Sequence, residues 1–220
     1  MKVLTLDVGN TSTDACLFEK ELTYLGKFNH ESIPILEVDE VLVSSVKPSL
    51  NTRIKNIYPQ ARFIQPEEVP IKTHIVQKEK VGVDRLLNLY GATRIYEKDV
   101  VVVSAGTALV IDLAIDVCFM GGFITLGLGS GVECLHQRAE LIPHLALKEL
   151  EVDIGTNTEE AIIGGLVKQA VYFIKGCVAN WSKIYRTNPK VIITGGDGWL
   201  LKSLGHYDPL LSHKAMILLL

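Results

Sequence analysis

Residues 4–9 read Leu-Thr-Leu-Asp-Val-Gly, and residues 101–106 read Val-Val-Val-Ser-Ala-Gly. Each stretch is an apolar run that ends in a polar residue and a glycine, and a threonine and a second apolar run follow shortly afterwards. This pattern predicts a buried strand, a tight turn and a returning strand. Because a repeat of about 100 residues is too long for a solenoid, it indicates a duplicated domain.

The rest of the chain fits two copies of one α/β unit. The first copy reads as a three-strand antiparallel meander, followed by further strands and helices, and the second copy repeats the three strands. We therefore predict two halves, residues 1–98 and 99–220, that face each other across a cleft. The predicted strands lie at residues 2–6, 13–18, 22–28, 41–46, 61–64, 100–103, 108–113, 117–124 and 191–194, and the predicted helices at residues 48–58, 83–96 and 159–184.

The composition is typical of a folded globular protein and argues against several functions. Of 220 residues, 48% are hydrophobic and 21% are charged, which suffices for a core without metals or disulfides. The formal charge is −3 with no basic block, so non-specific binding to nucleic acid is not expected. The four cysteines lie far apart, which predicts free thiols in a reducing compartment. Because an acid at position 7 precedes any long apolar run, we expect a cytoplasmic protein without a membrane anchor.

The turn after the first strand has the residue types of a phosphate-binding loop. Gly9 lets backbone N–H groups approach phosphate oxygens, Asn10 and Thr11 add donors, and Asp7 can hold Mg²⁺, usually through water. The alternative is an ordinary Asx-type hairpin turn.

The second copy offers a matching hairpin and a further glycine loop. Gly106 and Thr107 could hold the far end of the same polyphosphate. Gly195 and Gly196 follow the last strand and would let an adenine or a ribose lie against the backbone, although a simple strand-to-helix turn uses the same residues.

A Gly-Val-Asp-Arg sequence at residues 82–85 places an acid and a guanidinium at the start of a predicted helix. Arg85 can bind a carboxylate with two parallel hydrogen bonds, and Asp84 can accept the proton of an attacking hydroxyl. On the residues alone, a helix-terminal acid with a surface salt bridge is the favoured explanation.

Three glycine loops in a duplicated chain resemble the actin-like, sugar-kinase ATPase superfamily. Within it the chain is most similar to type III pantothenate kinases, and the similarity covers most of the sequence in the family's motif order. The motifs are Asp7-Val8-Gly9-Asn10-Thr11, Gly82-Val83-Asp84-Arg85, Ala105-Gly106-Thr107-Ala108, Gly121-Gly122-Phe123-Ile124, Gly155-Thr156-Asn157-Thr158 and Gly195-Gly196-Asp197.

This resemblance implies an α/β fold of two RNase H-like domains with a nucleotide cleft. It also implies ATP-dependent phosphorylation of pantothenate to 4′-phosphopantothenate, the first step of coenzyme A biosynthesis, with Mg²⁺ and a homodimer. By the same resemblance Asp84 is the base or hydroxyl-orienting residue. Gly82, Val83, Arg85 and Thr158 belong to the pantothenate site, although Thr158 also fits the N-cap of the helix that follows.

One departure from the family pattern removes a charge. Ser104 stands where the family usually has an aspartate before its second Gly-Thr, at a place associated with a monovalent cation, K⁺ or NH₄⁺. Because a hydroxyl carries no charge, we expect weak or absent cation dependence. The departure also favours a rival interpretation, a non-catalytic nucleotide-binding regulatory relative. An actin-like assembly protein is a second rival, but it has no use for residues 82–85.

Overall fold

The computed structural model describes residues 1–220 and contains eleven strands and five α-helices. A π-helical turn, Glu160–Gly164, leads directly into the fourth helix, and a 3₁₀ helix, Gly198–Leu204, follows the tenth strand. The strands are β1 (Val3–Val8), β2 (Thr13–Phe18), β3 (Leu22–Phe28), β4 (Glu40–Ser45), β5 (Arg62–Phe63), β6 (Lys72–Thr73), β7 (Val100–Ala105), β8 (Ala108–Ile115), β9 (Cys118–Leu126), β10 (Lys190–Thr194) and β11 (His206–Tyr207). The helices are α1 (Asn51–Ile57), α2 (Val83–Ile95), α3 (Leu128–Arg138), α4 (Gly165–Tyr185) and α5 (Leu211–Ile217).

The contacts divide the chain into two units, each described here by itself. Unit 1 comprises Met1–Ile95, Val117–Phe119 and Leu210–Leu220, and unit 2 comprises Tyr96–Asp116 and Met120–Pro209.

The C-terminal segment departs from the division expected from the sequence. That division places residues 210–220 in the second half, whereas they pack in unit 1 because Leu211, Ala215 and Met216 of α5 are fully buried there. The division into two domains at residues 1–98 and 99–220 stays a prediction.

Unit 1 is built on a five-stranded sheet in the order β3-β2-β1-β4-β5. The first three strands form the expected antiparallel meander, and β4 pairs in parallel with β1 and with β5. Strand β1 lies at the centre, and its Val3, Leu4, Leu6 and Val8 have no exposed surface. Each such side chain stabilises the fold by about 1.5–3 kcal/mol when it leaves water, so the ladder that carries the first hairpin is firmly held.

The sheet of unit 2 repeats this arrangement. Its strands run in the order β9-β8-β7-β10-β11, with β7 antiparallel to β8 and parallel to β10. At its far end, the first two residues of β9, which belong to unit 1, pair with β6. The central strand β7 has the same burial pattern as β1, residue by residue. The predicted duplication is therefore confirmed at the level of strand order and burial.

Two helices were not predicted from the sequence. Helix α3 begins within a glycine-rich stretch, residues 127–131, whose turn-forming residues mask the helical spacing that follows. Helix α5 has seven residues, too few to show helical periodicity, and it is stabilised by packing in unit 1.

One helical stretch, Glu160–Tyr185, is long and apolar enough to cross a membrane by length and composition, and 28% of its most apolar window is buried. Its buried residues, Ala170, Ile174, Cys177 and Trp181, form part of the apolar core of unit 2. A core helix of a globular domain has the same composition, so we do not assign this stretch to a membrane.

Candidate functional site

Asp7 lies at the end of β1, where the central strand of unit 1 turns into the first hairpin. It pairs with Asp14 across β1 and β2 and with Ser44 across β1 and β4. The Ser212 hydroxyl donates a hydrogen bond of 2.7 Å to Asp7 Oδ2. Burial raises the pKa of Asp7, the Ser212 hydrogen bond opposes that rise, and the charge of Asp14 adds to it. The carboxylate is therefore held in one orientation in surroundings that disfavour its charge.

The first hairpin presents its backbone to solvent. Gly9 N–H closes the turn on Ser12 O at 3.0 Å, and Asn10 and Thr11 form the exposed tip. Lys47 follows β4, and its Nζ donates to Asn10 O at 2.9 Å. An ammonium beside a glycine hairpin adds positive charge where phosphate would approach. Sequence reasoning missed Lys47, because the residue lies in a different loop from the motif.

Asp84 is the second residue of α2 and is partly buried. Burial raises its pKa most, the charge of Asp7 raises it further, and the hydrogen bond and charge of Arg85 lower it. The structure therefore brings Asp7 and Asp84 close enough in unit 1 for their charges to interact. A Cβ at Gly82 would lie 2.5 Å from Asp84 Oδ1, so only glycine leaves room for this carboxylate.

Arg85 lies beside Asp84 at the helix start. Its guanidinium carbon is 5.5 Å from the centre of the Phe119 ring, and Phe119 is fully buried. Such a cation–π contact fixes the plane of the guanidinium. The group is thus presented with a defined orientation for a planar anion.

In unit 2 the second hairpin and the glycine loop after β10 touch each other. Gly106 N–H donates to Ala108 O at 3.0 Å, which closes the β7–β8 turn, and Asp197 N–H donates to Ala105 O at 2.9 Å. Gly195 has a φ of +88°, and a side chain there would collide with the Ala105 carbonyl. Glycine is required at this position both by backbone conformation and by space.

The beginning of α3 joins the same cluster, and sequence reasoning missed it. Gly127 N–H and the Ser130 hydroxyl both donate to Thr107 O, at 3.1 and 2.8 Å. Gly129 N–H donates to Asp197 Oδ2 at 3.3 Å. The glycine-rich run at residues 127–131 was the available signal, because glycines at a strand-to-helix turn permit close backbone approach.

Thr158 is exposed. The residue that caps the following helical stretch is Asn157, whose Oδ1 accepts from Glu160 N–H at 3.0 Å. The Glu160 carboxylate in turn accepts from the N–H and the hydroxyl of Thr156. The N-cap explanation of Thr158 is therefore wrong, since its neighbour performs that role.

The fold assigns the chain to the actin-like ATPase and sugar-kinase class. A Campylobacter jejuni protein assigned to the Baf family of transcriptional activators is 24% identical, with a TM-score of 0.71 over 98% of this chain and 96% of that one. A Listeria monocytogenes protein described as an N-acetylmannosamine kinase is 10% identical, with a TM-score of 0.54 over 100% and 98% of the two chains. At these identities the likeness shows the fold alone.

Sequence comparison defines the family. A model of the type III pantothenate kinase family matches residues 3–180. A protein of Aquifex aeolicus named type III pantothenate kinase is 41% identical over 219 residues, which cover 98% of this chain and 96% of the relative. The chain belongs to the type III pantothenate kinase family.

Proposed function

We propose that this protein transfers the γ-phosphoryl group of ATP to the primary hydroxyl of pantothenate, giving 4′-phosphopantothenate and ADP, the first step of coenzyme A biosynthesis. The observation that carries the proposal is family membership over nearly the whole chain, together with a partly buried acid, Asp84, in the family's Gly-x-Asp-Arg position. Phosphoryl transfer requires mainly positioning and charge neutralisation, which glycine hairpins and oriented side chains provide.

Asp84 orients the hydroxyl and accepts its proton. The hydroxyl oxygen forms a bond to the γ-phosphorus as the bond from that phosphorus to the β–γ bridging oxygen breaks, and the proton passes to a carboxylate oxygen of Asp84. Burial and the charge of Asp7 raise the pKa of Asp84. Such a shift strengthens a carboxylate as a base.

The two hairpins and the glycine loop bind ATP. In this proposal Asp7, Gly9, Asn10 and Thr11 contact the phosphates from one hairpin. Gly106 and Thr107 contact them from the other, and Gly195 and Gly196 contact the adenosine. Support comes from the open space at Gly106, where an added Cβ would meet no atom within 4 Å.

The residues around Asp7 fit Mg²⁺. Ser44 pairs in register with Asp7 and its hydroxyl is buried beside that carboxylate, and nowhere does the chain gather three or more metal-ligating side chains. A single carboxylate with nearby hydroxyls suits a cation that keeps several waters and is held mainly by phosphates. When bound, Mg²⁺ neutralises developing charge on those phosphates.

Pantothenate binding is assigned to the start of α2 and to Thr158. Arg85 would bind the pantothenate carboxylate through its two parallel N–H donors, with Phe119 fixing the guanidinium plane. Gly82 and Val83 form the adjoining wall, and the exposed hydroxyl of Thr158 contributes a polar contact.

We expect little use of K⁺ or NH₄⁺ at Ser104. In register, Ser104 pairs with Val110 and Thr194, neither of which supplies a charge. Hydroxyl and carbonyl oxygens alone attract a monovalent cation weakly.

We infer a homodimer that acts in the cytoplasm, where ATP is available. The dimer is supported by apolar side chains left exposed on unit 2: Phe123, Ile124 and Leu126 on β9 and Tyr172 on α4. Exposed apolar side chains that lie together commonly mark an interface. Sedimentation of the natural protein and of Ile124→Asp measures this, and a natural protein that sediments as a monomer would refute it.

The deciding experiment is a radioactive ATP assay with and without pantothenate. Label should appear in phosphopantothenate, while glucose, glycerol and acetate give only background. ATP binding without turnover would favour the regulatory rival. Nucleotide-dependent polymerisation without pantothenate turnover would favour the assembly rival.

A further inference from the structure

Helix α5 contacts Asp7 and packs against the helix that carries Asp84, although no motif includes it. The family model ends at residue 180, and α5 spans Leu211–Ile217. Within unit 1 this short helix contacts both β1, which ends at Asp7, and α2, which begins before Asp84. Its polar residues are unusually well buried: Ser212 is 6% exposed and His213 is 1% exposed.

The first contact is with Asp7 itself. Ser212 Oγ donates to Asp7 Oδ2 at 2.7 Å, a short hydrogen bond to a charged acceptor. This bond occupies one carboxylate oxygen and fixes the rotamer of the side chain.

The second contact anchors the helix on the same strand. Nδ1 of His213 lies 2.7 Å from Thr5 Oγ1, and the Thr5 hydroxyl donates to Cys16 O at 3.3 Å. Thr5 is fully buried and stands two residues before Asp7. A displacement of α5 would therefore strain two adjacent polar contacts on β1, and this coupling holds Ser212 in place.

The third contact ties α5 to the helix that carries Asp84. A Cβ added at Gly91 of α2 would lie 2.9 Å from the Ala215 Cβ and 3.3 Å from the Leu211 carbonyl oxygen. The two helices thus pack with almost no space between their backbones. Few separations of α2 from β1 are compatible with this packing.

We propose that α5 is a positioning element for the Asp7–Asp84 pair, and that Ser212 is the positioning residue that orients Asp7 toward the magnesium–nucleotide complex. The proposal rests on the proposed function for its role in turnover. Because the proposal concerns the contact between Asp7 and the bound cation, it is tested by measuring nucleotide affinity.

The test compares nucleotide affinity with and without Mg²⁺. The non-hydrolysable analogue AMPPNP is titrated into the natural protein and into Ser212→Ala, in excess Mg²⁺ and in EDTA. Loss of a hydrogen bond to a charged group should weaken binding of the magnesium complex about 10-fold. Affinity for the magnesium-free analogue should change by less than about 2-fold, because the hairpin backbone is untouched.

Two further variants separate orientation from general destabilisation. Ser212→Thr keeps the hydroxyl and should restore at least half of the lost magnesium preference. Tyr58→Phe removes a buried hydroxyl of unit 1 that donates to Pro34 O and accepts from Leu36 N–H, both at 2.8 Å. Tyr58→Phe should lower thermal stability without changing the ratio of the AMPPNP affinities measured in Mg²⁺ and in EDTA.

The outcomes are distinct from those of the kinase assay. An unchanged ratio in Ser212→Ala, or the same change in Tyr58→Phe, overturns the positioning role even if pantothenate is phosphorylated normally. Absence of pantothenate turnover in the natural protein defeats the proposed function but leaves the nucleotide comparison fully readable.

Discussion

The ends of the two central strands, β1 and β7, share one backbone design and differ in chemistry. Each strand lies third in its sheet, pairs antiparallel with the next strand along the chain and parallel with a later one, and has the same burial pattern. The fifth residue of each is the half-buried position before the hairpin, Asp7 in one and Ser104 in the other.

The residues that pair with Asp7 and Ser104 also differ in chemistry. Asp7 has a carboxylate, Asp14, and a hydroxyl, Ser44, as its register partners, whereas Ser104 has Val110 and Thr194. The two strands keep the same place and burial in their sheets, while the interacting carboxylates lie in unit 1. The duplicated strand end thus keeps its strand order and its burial in both copies, but carries a charge in only one.

The largest effect should come from removing the second carboxylate of unit 1. Asp84→Asn keeps size and hydrogen-bonding shape but removes the base, so kcat should fall about 10²- to 10⁴-fold with little change in ATP affinity. Because burial and Asp7 raise the pKa of Asp84, its charge costs stability above its unfolded-state pKa. The variant should therefore unfold at a higher temperature at pH 7.

A fall in kcat together with a rise in the unfolding temperature is the informative result. Steady-state kinetics and thermal melts are measured on the same preparation, with the exposed acid Asp39→Asn as the matched control. A variant with near-normal kcat would return Asp84 to a helix-terminal role.

A second effect concerns His213, the buried histidine beneath β1. Burial lowers the pKa of His213 from 6.5 to about 4, against a smaller opposing effect of the Asp14 charge. The unfolded chain binds the proton first as pH falls, so stability is complete above pH 6.5 and is lost between pH 6.5 and 4. The loss amounts to about 3 kcal/mol.

Urea unfolding at a series of pH values checks this effect. His213→Gln should remove the loss of stability between pH 6.5 and 4, whereas replacing the exposed His74 by Gln should leave that loss unchanged. A natural profile that is already flat between pH 6.5 and 4 would mean that His213 titrates normally.

A third effect tests whether Arg85 acts through its two parallel N–H donors or only through its charge. Arg85→Lys keeps the charge but loses the two parallel donors and the flat contact with Phe119. The KM for pantothenate should rise about 10-fold, with kcat and the KM for ATP nearly unchanged. If kcat falls while both KM values stay constant, Arg85 contacts the transferring phosphoryl group instead.

Sequence patterns predicted those parts of the molecule whose signals are local. The apolar runs gave β2 and β3 with their observed limits, and the repeat gave the shared strand order of the two sheets. Glycines marked the two hairpins and the loop after β10, and in that loop the positive φ of Gly195 requires glycine.

What the sequence could not show depends on contacts between distant residues. Ser212 and Asp7 are 205 positions apart, and Lys47 and Asn10 are 37 apart, so no spacing rule links them. Helix α5 is held by packing against α2 rather than by its own propensity, because seven residues are too few to form a stable helix alone.

The smallest effect is expected at Ser104, where the natural protein lacks the charge that the comparison assigns to Asp7. Replacing Na⁺ with K⁺ or NH₄⁺ at constant ionic strength should change the initial rate of the natural protein by less than about 2-fold, because a hydroxyl attracts a cation far less than a carboxylate does. Ser104→Asp should create or strengthen the dependence, since it places a carboxylate at the β7 position equivalent to Asp7. Ser104→Asn serves as the uncharged control and should behave like the natural protein. Strong K⁺ activation of the natural protein, unaltered by Ser104→Asp, would show that the cation is held elsewhere and that charge at the second strand end has no part in catalysis.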